Sequence, residues 1–184
     1  MPMSDDRVET MVNTEVGQLG FQDYLVKRGA GDKVTGVTFR GSEYAHPALG
    51  VVESLCNSDR VIVCPSNPIL SIGPILAVPR VRMALRETDA RILAISPIVG
   101  GAPVKGPTDK IMRGLGLEVS ALAVAELYKD FLDVFIIDQI DRELRDRIEA
   151  LGIEVIVTNT LMKSLRDKVQ LARTALEAAQ EENG

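Results

Sequence analysis

Residues 60–76 read RVIVCPSNPILSIGPIL, and the fold follows from how this stretch changes character along its length. Arg60–Cys64 is a short run rich in Val and Ile with no polar alternation, as expected of a strand covered on both faces within a parallel sheet. Pro65-Ser66-Asn67-Pro68 ends the run, and Ser71–Glu87, a helix-like segment punctuated by prolines, follows. Strand, polar turn and helix in that order make the repeating unit of an α/β protein.

The unit recurs along the chain. Arg91–Ile95 (RILAI), Leu132–Ile137 (LDVFII) and Ile153–Thr158 (IEVIVT) are further buried-strand runs. Helix-like segments lie between or beside them at His46–Asn57, Thr108–Leu115, Ser120–Tyr128 and Asp141–Leu151, with Gly152 as a helix stop before the last strand. A final helix is predicted from Ser164 to about Glu181, with Leu165, Val169, Leu171, Ala172, Ala175 and Leu176 on broadly one side and a Glu-rich end that frays. Lys33–Arg40 alternates weakly and is a candidate edge strand, and Phe21–Lys27 is a candidate short helix after a turn at Gly17 and Gly20. The first 30 residues contain no strong strand, although the first strand of a doubly wound sheet usually opens the domain. The expectation is one α/β domain over residues 1–184, a Rossmann-like three-layer sandwich with a mostly parallel sheet that lacks its opening strand and glycine-rich turn.

Composition narrows the function classes. With 184 residues, 46% of them hydrophobic and 26% charged, the chain can bury a sizeable core. Lys and Arg number 21 against 26 Asp and Glu, a net charge of −5, which is wrong for a protein that binds nucleic acid by neutralising backbone phosphates. Aromatic residues are 4% and there is no Trp, so the chain has few faces to offer as stacking platforms for single strands. No apolar run approaches the roughly 18 residues of a membrane span, and Met1–Asp6 is acidic where a signal peptide is basic. A cytoplasmic protein without membrane contact is therefore expected. Cys56 and Cys64 lie in apolar stretches and are expected as buried, reduced thiols. With one histidine, His46, no zinc site can be assembled from the usual ligands, and His46 beside Pro47 is expected to be a cap or surface residue.

Chemistry is expected at the strand ends. The turn after Arg60–Cys64 offers Ser66, Asn67 and Ser71 as donors or caps next to a helix start, where unpaired backbone N–H groups favour anions. A proline-stiffened, capped turn with no ligand explains the same residues, and both alternatives stand. The second such turn, SPIVGGAPVKGPTDK (Ser96–Lys110), adds Ser96, the pair Gly100-Gly101, and Lys105 or Lys110 to balance phosphate charge. It is not a Walker A loop, because the glycines lie too close to Lys105 and no Ser or Thr follows it. Asp138 and Thr158-Asn159-Thr160 end the remaining strands and serve as caps or as further polar groups on the same sheet edge. The carboxylates Asp130, Asp133, Asp138 and Asp141 are expected as a solvated helix end rather than a metal cage. The adjacent Asp5 and Asp6 are either an exposed acidic terminus or ligands for a hard cation such as Mg²⁺.

Four stretches together, CPSNPILSIGPILAVPRVRMAL, SPIVGGAPVKGPTDKIMRGLGLEVSALAVAELY, DVFIIDQID and IEVIVTNTLMK, resemble the 2-phospho-L-lactate transferases, which act in the synthesis of the deazaflavin coenzyme F-420. The resemblance runs from Pro2 to about Leu176. It implies transfer of a phospholactyl group, or its enolpyruvyl analogue, from a guanosine diphosphate-linked donor to the deazaflavin FO, with release of GMP and a requirement for Mg²⁺. It places Ser66, Asn67, Ser71, Ser96, Gly100, Gly101 and Lys105 in the nucleotide and phosphate region, puts Asp5 and Asp6 near the metal or acceptor, and implies a homodimer. Family members begin with a strand and glycine-rich turn that have no counterpart here, so the chain resembles the C-terminal portion, with MPMSDD an internal loop. A non-enzymatic regulatory protein that binds nucleotides or nucleotide-sugars on the same fold is the competing expectation, and a fragment with an exposed sheet edge is the third.

Overall fold

The computed structural model describes residues 1–180, so Glu181, the expected end of the last helix, lies outside the described residues. In chain order the strands are β1 (Glu9–Thr14), β2 (Gly17–Gly20), β3 (Val34–Arg40), β4 (Arg60–Val63), β5 (Arg91–Ile95), β6 (Ile98–Val99), β7 (Ala102–Pro103), β8 (Val134–Asp138) and β9 (Glu154–Thr158). The α-helices are α1 (Val51–Cys56), α2 (Ile72–Leu76), α3 (Val81–Glu87), α4 (Thr108–Gly114), α5 (Ala121–Tyr128), α6 (Arg145–Glu149) and α7 (Leu165–Ala178).

The four predicted buried runs form one parallel sheet in the order β4-β5-β8-β9. Alternate residues of its central strands enter different cores, as the pleat requires. Ile92, Ala94, Phe135 and Ile137 face α5 and α6, while Leu93, Ile95, Val134 and Ile136 face Leu171 and Ala175 of α7. These layers are the expected sandwich of helix, sheet and helix. Ser120 caps α5 by accepting from the Ala123 amide at 3.1 Å, and Ser164 closes a capping box with Asp167 at the start of α7.

The expectation that the first 30 residues hold no strong strand is overturned. β1 forms an antiparallel sheet with β2 and β3 in the order β2-β1-β3. The signal is weak because β1 buries Met11, Val12 and Thr14 without clean alternation, and β2 is flanked by glycines. Lys33–Arg40 is an edge strand, but of this smaller sheet and not of the parallel one. Val12, Tyr24, Val34 and Leu70 pack with Ile111 of α4, which seats the small sheet against the turn after β4.

Three helix limits also differ from expectation. His46–Asn57 is helical only from Val51, because Pro47 and the left-handed Gly50 (φ +85°) break what precedes it. Ser71–Glu87 divides into α2 and α3 at Pro79-Arg80. The predicted Asp141–Leu151 helix becomes a 3₁₀ segment, Gln139–Leu144, followed by α6, with non-helical backbone at Asp141. Gly152 does stop that element, at φ +86°. Cys56 and Cys64 are exposed free thiols, contrary to expectation. Cys56 ends the short, open α1, and Cys64 follows β4, a strand hydrogen-bonded on one side only.

Gly114 shows how closely the two sheets are joined. A Cβ there would lie 2.5 Å from the Val34 carbonyl oxygen and 2.6 Å from the Val34 Cβ. Because that obstacle includes backbone, Gly114→Ala is expected to destabilise the protein by about 1–3 kcal/mol, as overpacking does. Thermal melting checks this, and an unchanged midpoint would mean that α4 and β3 separate freely.

Candidate functional site

The carboxyl ends of the parallel strands converge on a cavity of about 580 Å³. β4 leads to Ser66, Asn67 and Ser71, β5 to Ser96 and then Lys105, and β9 to Thr160. Ser66, Asn67, Ser71, Ser96 and Lys105 are thus brought together from separate parts of the sequence. Gly100, Gly101, Asp5 and Asp6 are not among the lining residues. A second cavity of about 550 Å³ near His46 and Arg80 sits away from the strand ends and mixes Arg80 with Glu43 and Glu53.

The turn after β4 is held from within. Asn67 Oδ1 accepts from the amides of Ile69 (2.9 Å) and Leu70 (2.8 Å), and the Asn67 carbonyl accepts from Ser71 N and Ile72 N, both at 3.0 Å. Asn67 Nδ2 donates to Thr108 Oγ1 at 3.1 Å and so ties the turn to the first residue of α4. The amides expected to await an anion at this helix start are already paired, and α2 has only five residues. The Ser71 side chain makes no cap hydrogen bond and is exposed. The stiff, self-bonded turn and the ligand wall are therefore one structure, in which side chains rather than backbone N–H groups face the cavity.

The turn after β5 is similarly organised. Ser96, 1% exposed, donates to the Ile98 carbonyl at 2.8 Å and accepts from Ile98 N at 3.2 Å. Gly100 and Gly101, with φ +58° and +72°, form the two-residue connection of the β6–β7 hairpin, where both residues need positive φ. Gly100 N donates to both carboxylate oxygens of Asp141 at 3.0 Å. That bond turns Asp141 inward and explains the break in the predicted helix. The hairpin delivers Lys105 to the cavity, whereas Lys110 donates to the Ala30 carbonyl at 2.7 Å.

The acidic run is not a solvated helix end. Asp138 and Asp141 are buried, Asp130 pairs with Arg82, and Asp133 accepts from Ile92 N at 2.7 Å. Asp138 caps the 3₁₀ segment through Ile140 N and binds Thr160 through both its amide (2.8 Å) and its hydroxyl (3.0 Å). It thereby fixes Thr160 in the cavity wall. Burial pushes the Asp141 carboxyl up from its ordinary value, with the Gly100 amide opposing part of that effect.

Asp6 accepts from His46 N at 2.8 Å, and Ser4 donates to the His46 carbonyl at 2.6 Å, so Met1–Asp6 is docked on the loop before α1. The His46 amide, first, and then its ring hold the Asp6 carboxyl below the usual range. Among the described residues, no group of three or more His, Cys, Asp or Glu is arranged to hold a metal ion.

Sequence reasoning missed the cavity's other wall. Phe21 and Leu25 enter from the helical segment between β2 and β3, Met162 from the loop between β9 and α7, and Lys168 from the start of α7. Lys168 had no local signal, since a polar residue in the first turns of a helix reads as solvated. Among the described residues, Lys105 and Lys168 are the charged ones that line the cavity, and no carboxylate accompanies them. Among the described residues, no helix is long and apolar enough to cross a membrane.

The family model described as 2-phospho-L-lactate transferase CofD matches residues 1–175. A 2-phospho-L-lactate transferase of Methanocaldococcus jannaschii is 44% identical over 181 residues, which cover 96% of this chain and 57% of that protein. A phosphoenolpyruvate transferase of Streptomyces griseus is 40% identical, with 98% and 58% covered. The chain thus spans rather more than half the length of the curated relatives it matches. A crystal structure of a Bacillus halodurans protein superposes with a TM-score of 0.65 at 15% identity, covering 96% of this chain and 61% of that one, a likeness of fold.

Two outcomes follow from the bonds around the cavity. Asn67→Ala removes one donor and a twice-used acceptor, and is expected to cost about 1–3 kcal/mol in a melting experiment. Amide exchange at Ile69 and Leu70 is expected to accelerate, and unaltered protection at both would refute the role given to Asn67. Asp141 carries the opposite sign to a salt-bridged carboxylate. With its folded pKa raised, its contribution is fully present below the unfolded value of about 3.9 and is lost as pH rises through the raised one. Asp141→Asn keeps an acceptor for Gly100 and removes the titration. Melts from pH 4 to pH 8 should show the variant gaining on the wild type as pH rises, and a variant that loses ground to the wild type over that range would contradict the assignment.

Proposed function

The chain belongs to the 2-phospho-L-lactate transferase family, and from that premise we propose that its cavity binds the phosphate groups of a nucleotide-linked donor during a transfer reaction of F-420 synthesis. The observation that supports this most is the cavity wall itself, which combines Lys105 and Lys168 with Ser and Thr hydroxyls and excludes carboxylates, in a chain of net charge −5. Such a wall favours an anion, and its Phe21, Leu25 and Met162 side offers apolar surface for a ring system.

In the proposed reaction the donor is a guanosine diphosphate that carries a lactyl group, or its enolpyruvyl analogue, on the terminal phosphate. A ribityl hydroxyl oxygen of the deazaflavin FO forms a bond to the phosphorus that carries the lactyl or enolpyruvyl group. The bond from that phosphorus to the bridging oxygen breaks, GMP departs with that oxygen, and the hydroxyl proton is released. Such a displacement needs alignment and compensation of charge more than a strong nucleophile. Lys105, delivered by the β6–β7 hairpin, is assigned to the phosphates, and Ser66, Ser71 and Thr160 to their orientation. Asn67 and Ser96 act through the loops they hold.

Calorimetric titration with GDP in the presence of Mg²⁺, followed by FO and an assay for GMP release with the guanosine-linked donor, tests the proposal. GDP binding with FO-dependent GMP release is the expected result. GDP binding with no release from donor and FO would favour a nucleotide-binding regulatory role for this chain. Absence of GDP binding by a folded sample would overturn the proposal.

A further inference from the structure

We propose that Lys168, on α7, is a positioning residue that works with Lys105 to hold two adjacent phosphates, so that the cavity selects a diphosphate over a single phosphate. The inference rests on reading this cavity as a phosphate site and adds to it a residue from the far end of the chain.

Four observations carry it. Lys105 and Lys168 reach the same cavity from different elements, the β7–α4 connection and the second turn of α7. Neither takes part in an ion pair among the described residues, whereas Lys27, Arg28, Arg82, Arg91 and Arg145 all do. The carboxylate nearest in sequence to Lys168, that of Asp167, is turned the other way: it accepts from Lys163 N at 3.0 Å and from Ser164 N at 2.7 Å in the capping box. Finally, the amides of Ile69, Leu70, Ser71 and Ile72 are paired inside their own turn, so an anion here depends on side-chain charge.

Physical chemistry links these facts. Two lysines that line one cavity without a carboxylate among its lining residues make its potential positive, and their joint field concentrates anions there. A group with one phosphate compensates one lysine well, and a diphosphate presents charge to both. The capping box fixes the first turn of α7, and Leu171 and Ala175 anchor the helix to the sheet one turn later, so the Lys168 backbone is held in place beside the cavity it lines.

The test is titration of the 184-residue chain with inorganic diphosphate and with inorganic phosphate at low salt, using wild type, Lys168→Ala, Lys168→Arg and Arg173→Ala. Arg173 is exposed on the same helix and does not line the cavity. Lys168→Ala is expected to weaken diphosphate binding about tenfold, in line with one charge-assisted contact, while Lys168→Arg stays within about twofold. Arg173→Ala should be neutral, and the dependence of affinity on salt should flatten in Lys168→Ala alone. Equal losses in Lys168→Ala and Arg173→Ala, or none in either, would overturn the inference and leave the phosphate site standing. Wild type that binds neither anion would overturn both. Diphosphate binding that depends on Lys168, in a chain that ignores GDP, would uphold the inference and remove the guanosine-linked donor.

Discussion

A strand buried on both faces can offer chemistry only where it ends, and this constraint governs the molecule. All five residues of β8 are buried, and β5 is buried along four of its five. Because the strands run parallel, their carboxyl ends emerge on one edge, and every polar group released there becomes a neighbour of the others. Ser66, Ser96 and Thr160 meet for that reason, although nothing in their immediate sequence relates them.

The same edge shows a division of labour between backbone and side chains. In many α/β proteins the amides at a helix start are left for phosphate. Here the Asn67 side chain and carbonyl take them up, and Ser96 and Asp141 fasten the next turn in the same manner. The loops are thereby rigid before any ligand arrives, which lowers the ordering cost of binding. What they do not supply is charge, and charge comes from the two lysines. Rigidity and electrostatic attraction are thus carried by different residues.

How much of this could be read beforehand differs by region. RVIVC, RILAI, LDVFII and IEVIVT announced the parallel sheet because strands covered on both faces have little compositional freedom. β1 and β2 gave no such signal, since a small antiparallel sheet needs only part of one face covered, and Glu9, Asn13 and Gln18 are compatible with its exposed side. At the site, Ser66, Asn67, Ser71, Ser96 and Lys105 were legible as residues following strands. Whether Asn67 serves its own turn or a ligand stayed open, because phosphate binder and turn former call for the same amide chemistry. Asp141 was misread for a related reason: its inward orientation depends on Gly100, which lies 41 residues away in sequence. Lys168 was invisible because its position is set by how α7 crosses the sheet and not by the residues around it.

The cavity wall begins at Phe21 and is completed at Lys168, with contributions from the turns after β4, β5 and β9 between them. Its formation therefore has a very high sequence separation, and the entropy of closing those loops must be met before the parts come into contact. A collapsed chain with its helices formed but its strands unregistered would have no such cavity. The cavity is consequently a late mark of folding, one that distinguishes the native arrangement from compact states that ordinary measures of helix content would count as folded.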